Sequence, residues 1–443
     1  MIAPILCSLR RTLVALVALL LLVTPAAAQE LSEGAFHIYV GAPGRNKVPI
    51  ALPSPRGGHG KSGEFYGVIR RDLDISGWFE VIDPAAFVEP KGAGIMPGQF
   101  RFEDWDVPGA VVLAKTRLGE AGPGELRAEV WVYDVPGRRR LGAKAFTVRA
   151  TSWRSLAHRV ANEIIFQVTG QTAPFNTRFA YARRTKTGKE ICLVDFDGHG
   201  RVSITKNGSI NIKPIWSPSG SQISFTSYKA GNPDLYVADL AQGQVRRVSN
   251  RMGINIGGVW SPDGGSMVLT LSPDGNPDIY TIDAKTGRKI ARLTSSSGID
   301  VAPDWSPDGG RIAFVSERSG GAQIYVMSPS GGGAKRVTFS GSFNTDPVWS
   351  PDGSRLAYVG RVGGRFDIFV VNVDGSGIIR ITQAMGDNED PSWSPDGNYI
   401  AFSSTRSGGK HIWMSTADGV HQVQLTEGSG GYHNPNWSPS QSW

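Results

Sequence analysis

The residues with the clearest potential for chemistry are carboxylates that recur just ahead of tryptophans in the second half of the chain. They are Asp300, Asp304, Asp346, Glu389 and Asp390. Two carboxylates on either side of a scissile bond could act as acid and base in hydrolysis. The sequence does not show whether any pair converges. A polar rim that binds a partner is therefore the favoured interpretation, and a hydrolase is the alternative.

Other motifs that could carry chemistry are incomplete. "GGHGKS" at 57–62 resembles the end of a phosphate loop, but Pro55 stands where that loop needs glycine, and no helix is expected to start at Lys61. "DFDGHG" at 195–200 lacks the later bidentate glutamate of a calcium loop and reads as a hairpin turn. The sequence has no His-Glu-x-x-His pair and no Gly-x-Ser-x-Gly elbow, and Cys192 lies in an apolar stretch. We therefore expect no metal, no cofactor and no enzymatic activity.

The charge of the chain does not indicate a nucleic-acid partner. The 443 residues carry a formal net charge of +7, but the basic residues are scattered and the densest run, Arg138–Arg140, reads as a hairpin tip. The first 28 residues have the pattern of a signal peptide, with Arg10 and Arg11 before an apolar run and Ala26–Ala28 at its end. We expect cleavage after Ala28, export, and no direct membrane span.

Periodic patterns divide the mature chain into two regions. Residues 29–172 contain a helix from Glu64 that ends at Gly77 and a longer helix that Thr151 or Ser152 could cap and Gly170 ends. Between them lie strand-like segments, "WFEVID", "AVVLAKTRL", "LRAEVWVYD" and "RLGAKAFTVRA". The first region is therefore predicted to be a small α/β domain.

The second region, residues 173–443, is built from a repeat. Phrases of the type "WSPDG" place tryptophan at positions 216, 260, 305, 349, 393 and 437. The spacing of about 44 residues is that of one four-stranded antiparallel propeller blade. A partial unit with "RFAYARR", "EICLVDF" and "RVSITK" precedes the first phrase. The last phrase can supply the strand that this unit lacks, so we predict six blades and a ring closed by pairing of the chain ends.

The repeated phrase itself is interpreted as structural. Proline ends a strand, Asp-Gly turns the chain, and each tryptophan packs as an apolar wedge between neighbouring blades.

Three stretches together carry a resemblance to a known family. "RDLDISGWFEVID", "FNTRFAYARRTKTGKEICLVDFDG" and the six "WSPDG"-type phrases make the chain similar to the TolB family. The resemblance implies a non-enzymatic periplasmic adaptor of the Tol-Pal trans-envelope system, which supports outer-membrane integrity and invagination during cell division. It implies binding of the lipoprotein Pal at the propeller channel mouth and of TolA through the N-terminal segment. Other outer-membrane or peptidoglycan-associated proteins are compatible as further partners.

The resemblance also suggests the contact residues. The Pal-binding candidates lie in the loops before each tryptophan: Asn255, Asp300, Asn344, Thr345, Asn388, Glu389, His433 and Asn434. The TolA candidates lie in the first segment of the mature chain: Gln29, Glu30, Leu31, Phe36, Ile38 and Val40. A short N-terminal strand can dock on its own domain or pair with a partner, so we expect its release and Pal binding to be coupled.

Two other functions stay open on the sequence alone. A periplasmic hydrolase would require two channel carboxylates with perturbed pKa values. A carbohydrate- or peptidoglycan-binding module would require exposed aromatics at one mouth, for which Phe343 and Tyr432 are the candidates.

Overall fold

A five-stranded sheet covered by helices begins the described part of the chain. The structure, a computed structural model, describes residues 41–383 and 385–440, so the predictions for the signal peptide and for Gln29–Val40 lie outside it. The strands are β1 Val48–Ala51, β2 Phe79–Val81, β3 Val112–Gly122, β4 Glu125–Asp134 and β5 Arg139–Arg149. The sheet order is β2-β1-β3-β4-β5, with β1 parallel to both of its neighbours and the other pairs antiparallel.

Three α-helices accompany this sheet: α1 Ser62–Ile75, α2 Glu103–Asp106 and α3 Trp153–Thr169, with 3-10 turns at Pro84–Ala86 and Ala150–Ser152. Val68 and Ile69 of α1 and Ile164 of α3 are buried in one core with the sheet. Gly170 ends α3 in the left-handed conformation as predicted, with φ +73°.

The two helix starts differ from the sequence expectation. Ser152 precedes α3, but its side chain makes no capping hydrogen bond, and the 3-10 turn leads into the helix instead. Helix α1 begins at Ser62, so the expectation that no helix starts at Lys61 is wrong. Lys61 Nζ lies 2.8 Å from Glu64 Oε1 in the first turn. The lysine of the loop before α1 is thus paired with a carboxylate in the first turn of the helix.

Six four-stranded antiparallel sheets form the rest of the described chain, which confirms the predicted six-bladed propeller. The strands of blades 1 to 5 run in chain order. Blade 1 contains β9 Asn211–Trp216, β10 Gln222–Ser227, β11 Asp234–Asp239 and β12 Val245–Ser249, and blade 2 contains β13 Asn255–Trp260, β14 Ser266–Leu271, β15 Asp278–Asp283 and β16 Lys289–Arg292. Blade 3 contains β17 Asp300–Trp305, β18 Ile312–Ser316, β19 Gln323–Met327 and β20 Lys335–Arg336, and blade 4 contains β21 Asn344–Trp349, β22 Arg355–Val362, β23 Arg365–Asn372 and β24 Ile379–Arg380. Blade 5 contains β25 Asn388–Trp393, β26 Tyr399–Ser404, β27 His411–Thr416 and β28 Gln422–Gln424.

The remaining blade is split between the two ends of the propeller. It combines β6 Arg178–Arg184, β7 Lys189–Asp195 and β8 Val202–Ser203 with β29 Tyr432–Trp437. Strand β29 lies antiparallel to β6, with Tyr432 opposite Arg183 and Trp437 opposite Phe179. The last repeat therefore supplies the missing strand, as the sequence predicted.

Three of the six repeat tryptophans, Trp216, Trp349 and Trp393, donate a hydrogen bond to a backbone carbonyl of the preceding blade. The indole Nε1 of Trp349 donates to the carbonyl oxygen of Asp304 in the preceding blade at 3.2 Å, and Trp393 donates to Val348 at the same distance. Trp305 departs from this pattern, since it is only half-buried and donates to Gly309 in its own turn. The structural interpretation of the repeated phrase is confirmed at these positions.

The inner strands all run in one direction, which gives the central channel two different ends. We call the end at the first residues of these strands the loop mouth and the end at the Trp-Ser-Pro phrases the Trp mouth. The N-terminal domain packs on the Trp-mouth face, where Tyr399 Oη donates to the Ser76 carbonyl at 2.8 Å and Arg45 Nε lies 2.7 Å from Asp418 Oδ2. One apolar core runs through this contact.

Each inner strand also has a bulge at its third residue, which lies in the left-handed region. The φ values are +48° at Lys213, +72° at Gly257, +49° at Ala302, +48° at Asp346, +57° at Asp390 and +50° at Asn434. The pairing register with the second strand shifts at this point in the blades. The bulge therefore changes which side chains face the channel.

Replacing Gly257 with alanine tests the strain at the bulge. The left-handed conformation costs alanine roughly 1–2 kcal/mol, and no atom lies within 4 Å of the added Cβ. Gly257→Ala is expected to lower the free energy of unfolding, measured by denaturant titration, by about 1 kcal/mol. Gly67→Ala, at an exposed position of α1, is the control and should raise it by roughly 0.5–1 kcal/mol. Changes of the same sign in both variants would contradict the assignment.

Candidate functional site

Four of the eight Pal-binding candidates are buried within their blades. They stand first in their inner strands: Asn255, Asp300, Asn344 and Asn388. Asn388 Oδ1 accepts from Ser404 Oγ at 2.7 Å, and Asn344 Nδ2 donates to Gln323 Oε1 at 2.9 Å. Asn255 Nδ2 donates to the Arg251 carbonyl at 2.8 Å in the loop before its strand. These side chains hold the loops of the mouth in place through hydrogen bonds inside the blades.

The other four candidates, Thr345, Glu389, His433 and Asn434, are half-buried at the second and third positions of three inner strands. Asn434 Nδ2 donates to Asp390 Oδ1 at 2.7 Å, and Glu389 forms an ion pair with Lys410. Burial and the charges of Lys189 and Lys410 lower the pKa of His433 to about 4, so its imidazole is neutral at neutral pH. The structure thus brings polar side chains of blades 4 and 5 and the split blade together at the loop mouth.

An ion pair crosses the channel between opposite blades. Lys213 of blade 1 places its Nζ 2.6 Å from Asp346 Oδ1 of blade 4. Burial lowers the pKa of Lys213, but the charges of Asp346 and Asp390 outweigh it and the pKa is raised. Burial raises the pKa of Asp390, but Lys213 and its hydrogen bonds outweigh it and the pKa is lowered. Lys213 and Asp390 therefore each favour the charged form of the other inside the channel.

Sequence reasoning missed Lys213. The sequence signal for Lys213 is its position in the repeat. It is the third residue of "NIKPIW", and the equivalent residue in blades 4 and 5 is an aspartate. The sequence singled out both carboxylates but not the lysine that pairs with Asp346 and lowers the pKa of Asp390.

Below the charged groups the channel wall is mostly apolar. The cavity has a volume of about 390 Å³. Its apolar lining comes from aliphatic and proline side chains of the inner strands: Ile215, Ile256, Val259, Val301, Val348, Pro214, Pro303, Pro347, Pro391 and Pro435. Such a wall lowers the local dielectric beside the ion pair and so strengthens the attraction between its charges.

The channel carboxylates do not fit the hydrolase alternative. A general acid needs a raised pKa, whereas that of Asp390 is lowered. Burial raises the pKa of Asp304 to about 7, but this group lies toward the Trp mouth and accepts the backbone N–H of Trp349 at 2.8 Å. Among residues 41–383 and 385–440 we find no carboxylate pair in this channel arranged as acid and base.

Exposed apolar side chains surround the loop mouth. They precede the inner strands of blades 1 to 5 and comprise Ile210, Met252, Ile299, Phe343 and Met385. Met252 is 83% exposed and Phe343 is 36% exposed. Tyr432, the other aromatic candidate for sugar binding, is buried and stacks on His411 at 5.6 Å between ring centroids. An apolar rim around a polar centre is typical of a protein-binding surface rather than a sugar platform.

Removing the lysine tests the charge balance of the channel. Lys213→Met leaves Asp390 without its main compensating charge, so the free energy of unfolding at pH 7 should fall by about 1–3 kcal/mol. In the wild type, the lowered pKa of Asp390 gives stability that is present above its unfolded pKa and lost as the pH falls through the folded one. The deficit of the variant should therefore shrink in denaturant titrations at acidic pH.

Lys206→Met, at an exposed position just before blade 1, is the matched control and should change stability little. A Lys213→Met deficit of equal size at acidic and neutral pH would show that the ion pair does not set it.

Comparisons with known proteins agree with both folded regions. The sequence profile of the TolB beta propeller domain matches residues 166–441, and that of the TolB amino-terminal domain matches residues 36–141. The Tol-Pal system protein TolB of Anaeromyxobacter dehalogenans (strain 2CP-1) is 40% identical over 234 residues, which are 52% of each chain. The protein of the same name from Chromobacterium violaceum is 35% identical over 191 residues, 43% of this chain and 44% of its own. The matches thus span about half the length of these relatives or less.

A solved structure gives the wider match. The crystal structure of TolB from Acinetobacter baumannii superposes with a TM-score of 0.80 and 26% identity, and the match covers 91% of this chain and 99% of that one. The curated relatives are named as a component of the Tol-Pal system and not as an enzyme. No helix within the described residues is long and apolar enough to cross a membrane. With both domain profiles matched in chain order and the whole architecture shared with a TolB crystal structure, the chain belongs to the TolB family.

Proposed function

We propose that this chain is a periplasmic, non-enzymatic adaptor of the Tol-Pal system that binds the lipoprotein Pal at the loop mouth of its propeller. The observation that carries the proposal is the loop mouth itself, an exposed apolar rim around half-buried polar groups. Family membership supports the choice of partner. As such an adaptor, the protein would support outer-membrane integrity and invagination during division.

The two ends of the channel differ in their access. The N-terminal domain packs against the Trp-mouth face, at blade 5 and the split blade. The loop mouth lies on the opposite face, where Met252, Phe343 and Met385 are exposed. An apolar contact surface with a few oriented polar groups is what a stable protein partner needs. The loop mouth is therefore the better docking surface of the two.

Within this surface the eight candidates take two roles. Thr345, Glu389, His433 and Asn434 are accessible enough to contact Pal. The buried Asn255, Asp300, Asn344 and Asn388 support the loops that carry the rim. A neutral His433 can donate and accept a hydrogen bond without adding a charge at the interface.

Pal binding is tested with the soluble domain of Pal from the same organism by isothermal titration calorimetry. Phe343→Ser and His433→Ala should each weaken binding at least about tenfold, or 1.4 kcal/mol, because each removes a contact at the rim or the polar centre. Phe339→Ser is the control, since Phe339 is 68% exposed but follows the outermost strand of blade 3. It should bind as the wild type does.

The outcomes distinguish whether the protein binds Pal at all from where on the protein Pal binds. No binding of Pal by the wild type would remove the proposed function. Wild-type affinity in both loop-mouth variants, with melting temperatures unchanged, would move the site elsewhere on the protein.

The N-terminal segment is proposed to bind TolA through Gln29, Glu30, Leu31, Phe36, Ile38 and Val40, which lie outside the described residues. An extended segment can add as a strand to a partner's sheet edge. A purified chain that begins at Phe36 should lose TolA binding relative to one that begins at Gln29, and its Pal affinity should change as well. Affinities for both partners that do not depend on residues 29–35 would contradict the segment and its coupling to Pal.

A further inference from the structure

A buried charge network lies where the N-terminal domain meets the propeller. His158 of α3 is 3% exposed, and its Nδ1 lies 2.6 Å from Oδ2 of the buried Asp72 in α1. Its Nε2 lies 3.9 Å from Oδ2 of the buried Asp197, in the turn between β7 and β8. One imidazole thus stands between a carboxylate of its own domain and a carboxylate of the propeller.

The other charged groups near His158 leave the network one proton short of balance. Arg154, one turn earlier on α3, forms an ion pair with Asp197. His199, in the same turn as Asp197, is mostly exposed, with its Nδ1 3.4 Å from Asp197 Oδ1. Two carboxylates face one permanent cation, so the buried network is neutral only with one further proton, which the hydrogen-bonded pair of His158 and Asp72 can hold on the imidazole.

Neighbouring charges at the edge of this site balance each other. Arg178 and Asp195 border the adjoining cleft and form their own ion pair at 2.9 Å. They therefore add no net charge to the network.

The polar atoms of the network also favour a protonated imidazole. His158 Nε2 and Asp72 Oδ1 are buried without a hydrogen-bond partner, and a buried polar atom without one is costly. An imidazolium donates from both ring nitrogens, toward Asp72 on one side and Asp197 on the other. Charging the ring therefore gives Nε2 an attractive neighbour across the domain interface.

The electrostatics point in the same direction. Burial lowers the pKa of His158, but Asp72 and Asp197 outweigh it and the pKa is raised above 6.5. Burial raises the pKa of Asp197, but His158 and Arg154 outweigh it and the pKa is lowered. The pKa of Asp72 is also raised, because burial raises it by more than the neighbouring His158 lowers it.

A metal ion fits this cluster less well than a proton. Asp72, His158 and Asp197 each offer a ligand atom, and these atoms lie within 4.8 Å of one another. However, Asp72 Oδ2 and His158 Nδ1 are at hydrogen-bond distance, which leaves no room for an ion between them. A cation near Asp197 would also face the Arg154 guanidinium, which is already paired with that carboxylate.

We propose that His158 is a protonation-dependent latch that ties α1 and α3 of the N-terminal domain to the β7–β8 turn of the propeller. Protonated, the ring attracts both carboxylates and holds the two domains together. Deprotonated, it leaves Asp72 and Asp197 with a single cation, and the domain contact loosens. This latch does not depend on which partners the protein binds.

The sign of the pH dependence follows from the raised pKa of His158. A group whose folded pKa exceeds its unfolded value contributes stability that is fully present below the unfolded pKa and is lost as the pH rises through the folded one. The domain contact should therefore weaken toward alkaline pH. His421 lies at the same interface, but burial lowers its pKa, so its titration falls on the acidic side.

The direct test is a histidine titration by NMR on the chain from Gln29, with labelled imidazoles. The midpoint of His158 should lie above 6.5, the ordinary value for histidine, because Asp72 and Asp197 stabilise its charged form. Asp197→Asn should lower the His158 midpoint by about one pH unit, because it removes the propeller's charge. A His158 midpoint at or below 6.5 would overturn the latch.

The consequence for the domains is tested by limited proteolysis of residues 170–177, which connect α3 to β6. Cleavage of the wild type should increase as the pH rises from 6 to 9, after correction for the protease's own pH profile. His158→Gln should abolish this increase, and His199→Gln should retain it. If His158→Gln does not fold, Asp197→Asn takes its place and should show a smaller increase.

Two results would reject the proposal. A pH dependence of cleavage that persists in a folded His158→Gln variant would assign it to another group. A rise in melting temperature with added Zn²⁺ in the wild type but not in His158→Gln would make the cluster a metal site instead of a proton latch.

Discussion

The pairing of β29 with β6 is the interaction on which the rest of the structure depends. It closes the ring and leaves no open sheet edge between the first and last repeats. The same strand places His433 and Asn434 at the loop mouth and Trp437 in the core. The Trp437 ring packs on Phe179 at 4.7 Å between centroids, and its Nε1 donates to Thr177 Oγ1 at 2.7 Å. Thr177 belongs to the segment that joins the two domains, so ring closure also fixes where the N-terminal domain is attached.

The architecture could be predicted from the sequence because its signals are local and repeated. Six tryptophans at nearly constant spacing, each followed by Ser-Pro, determine the number of blades. The lone unit before Trp216 and the lone phrase at the end determine the closure. Each repeated phrase can be recognised from a few consecutive residues of the sequence.

The candidate site was predicted less well because its decisive features are not local. The sequence predicts that polar residues in the loops before the tryptophans line the channel mouth. Asn344 and Asn388 are instead buried within their blades, next to the bulge at which the strand pairing shifts. Lys213 and Asp346 occupy equivalent positions of the repeat, but the repeat does not show that these two side chains meet across the ring. The turn at 195–200 was read correctly as a hairpin, but the contact of its Asp197 with His158 depends on how two domains pack. Ion pairs between residues that are distant in the sequence cannot be recognised from any short stretch of a single sequence.

The two ends of the molecule are joined by the split blade. At the loop mouth this blade contributes His433 and Asn434 through β29, and on the Trp-mouth face it contributes Asp197 through the turn after β7. Strands β29, β6 and β7 are neighbours in one sheet, so backbone hydrogen bonds connect the loop-mouth strand with the strand that precedes the Asp197 turn. Within the described chain, this is the only blade whose strands come from both ends of the propeller. No turn of the chain joins β29 to β6, so strand pairing and side-chain packing alone hold these two strands together.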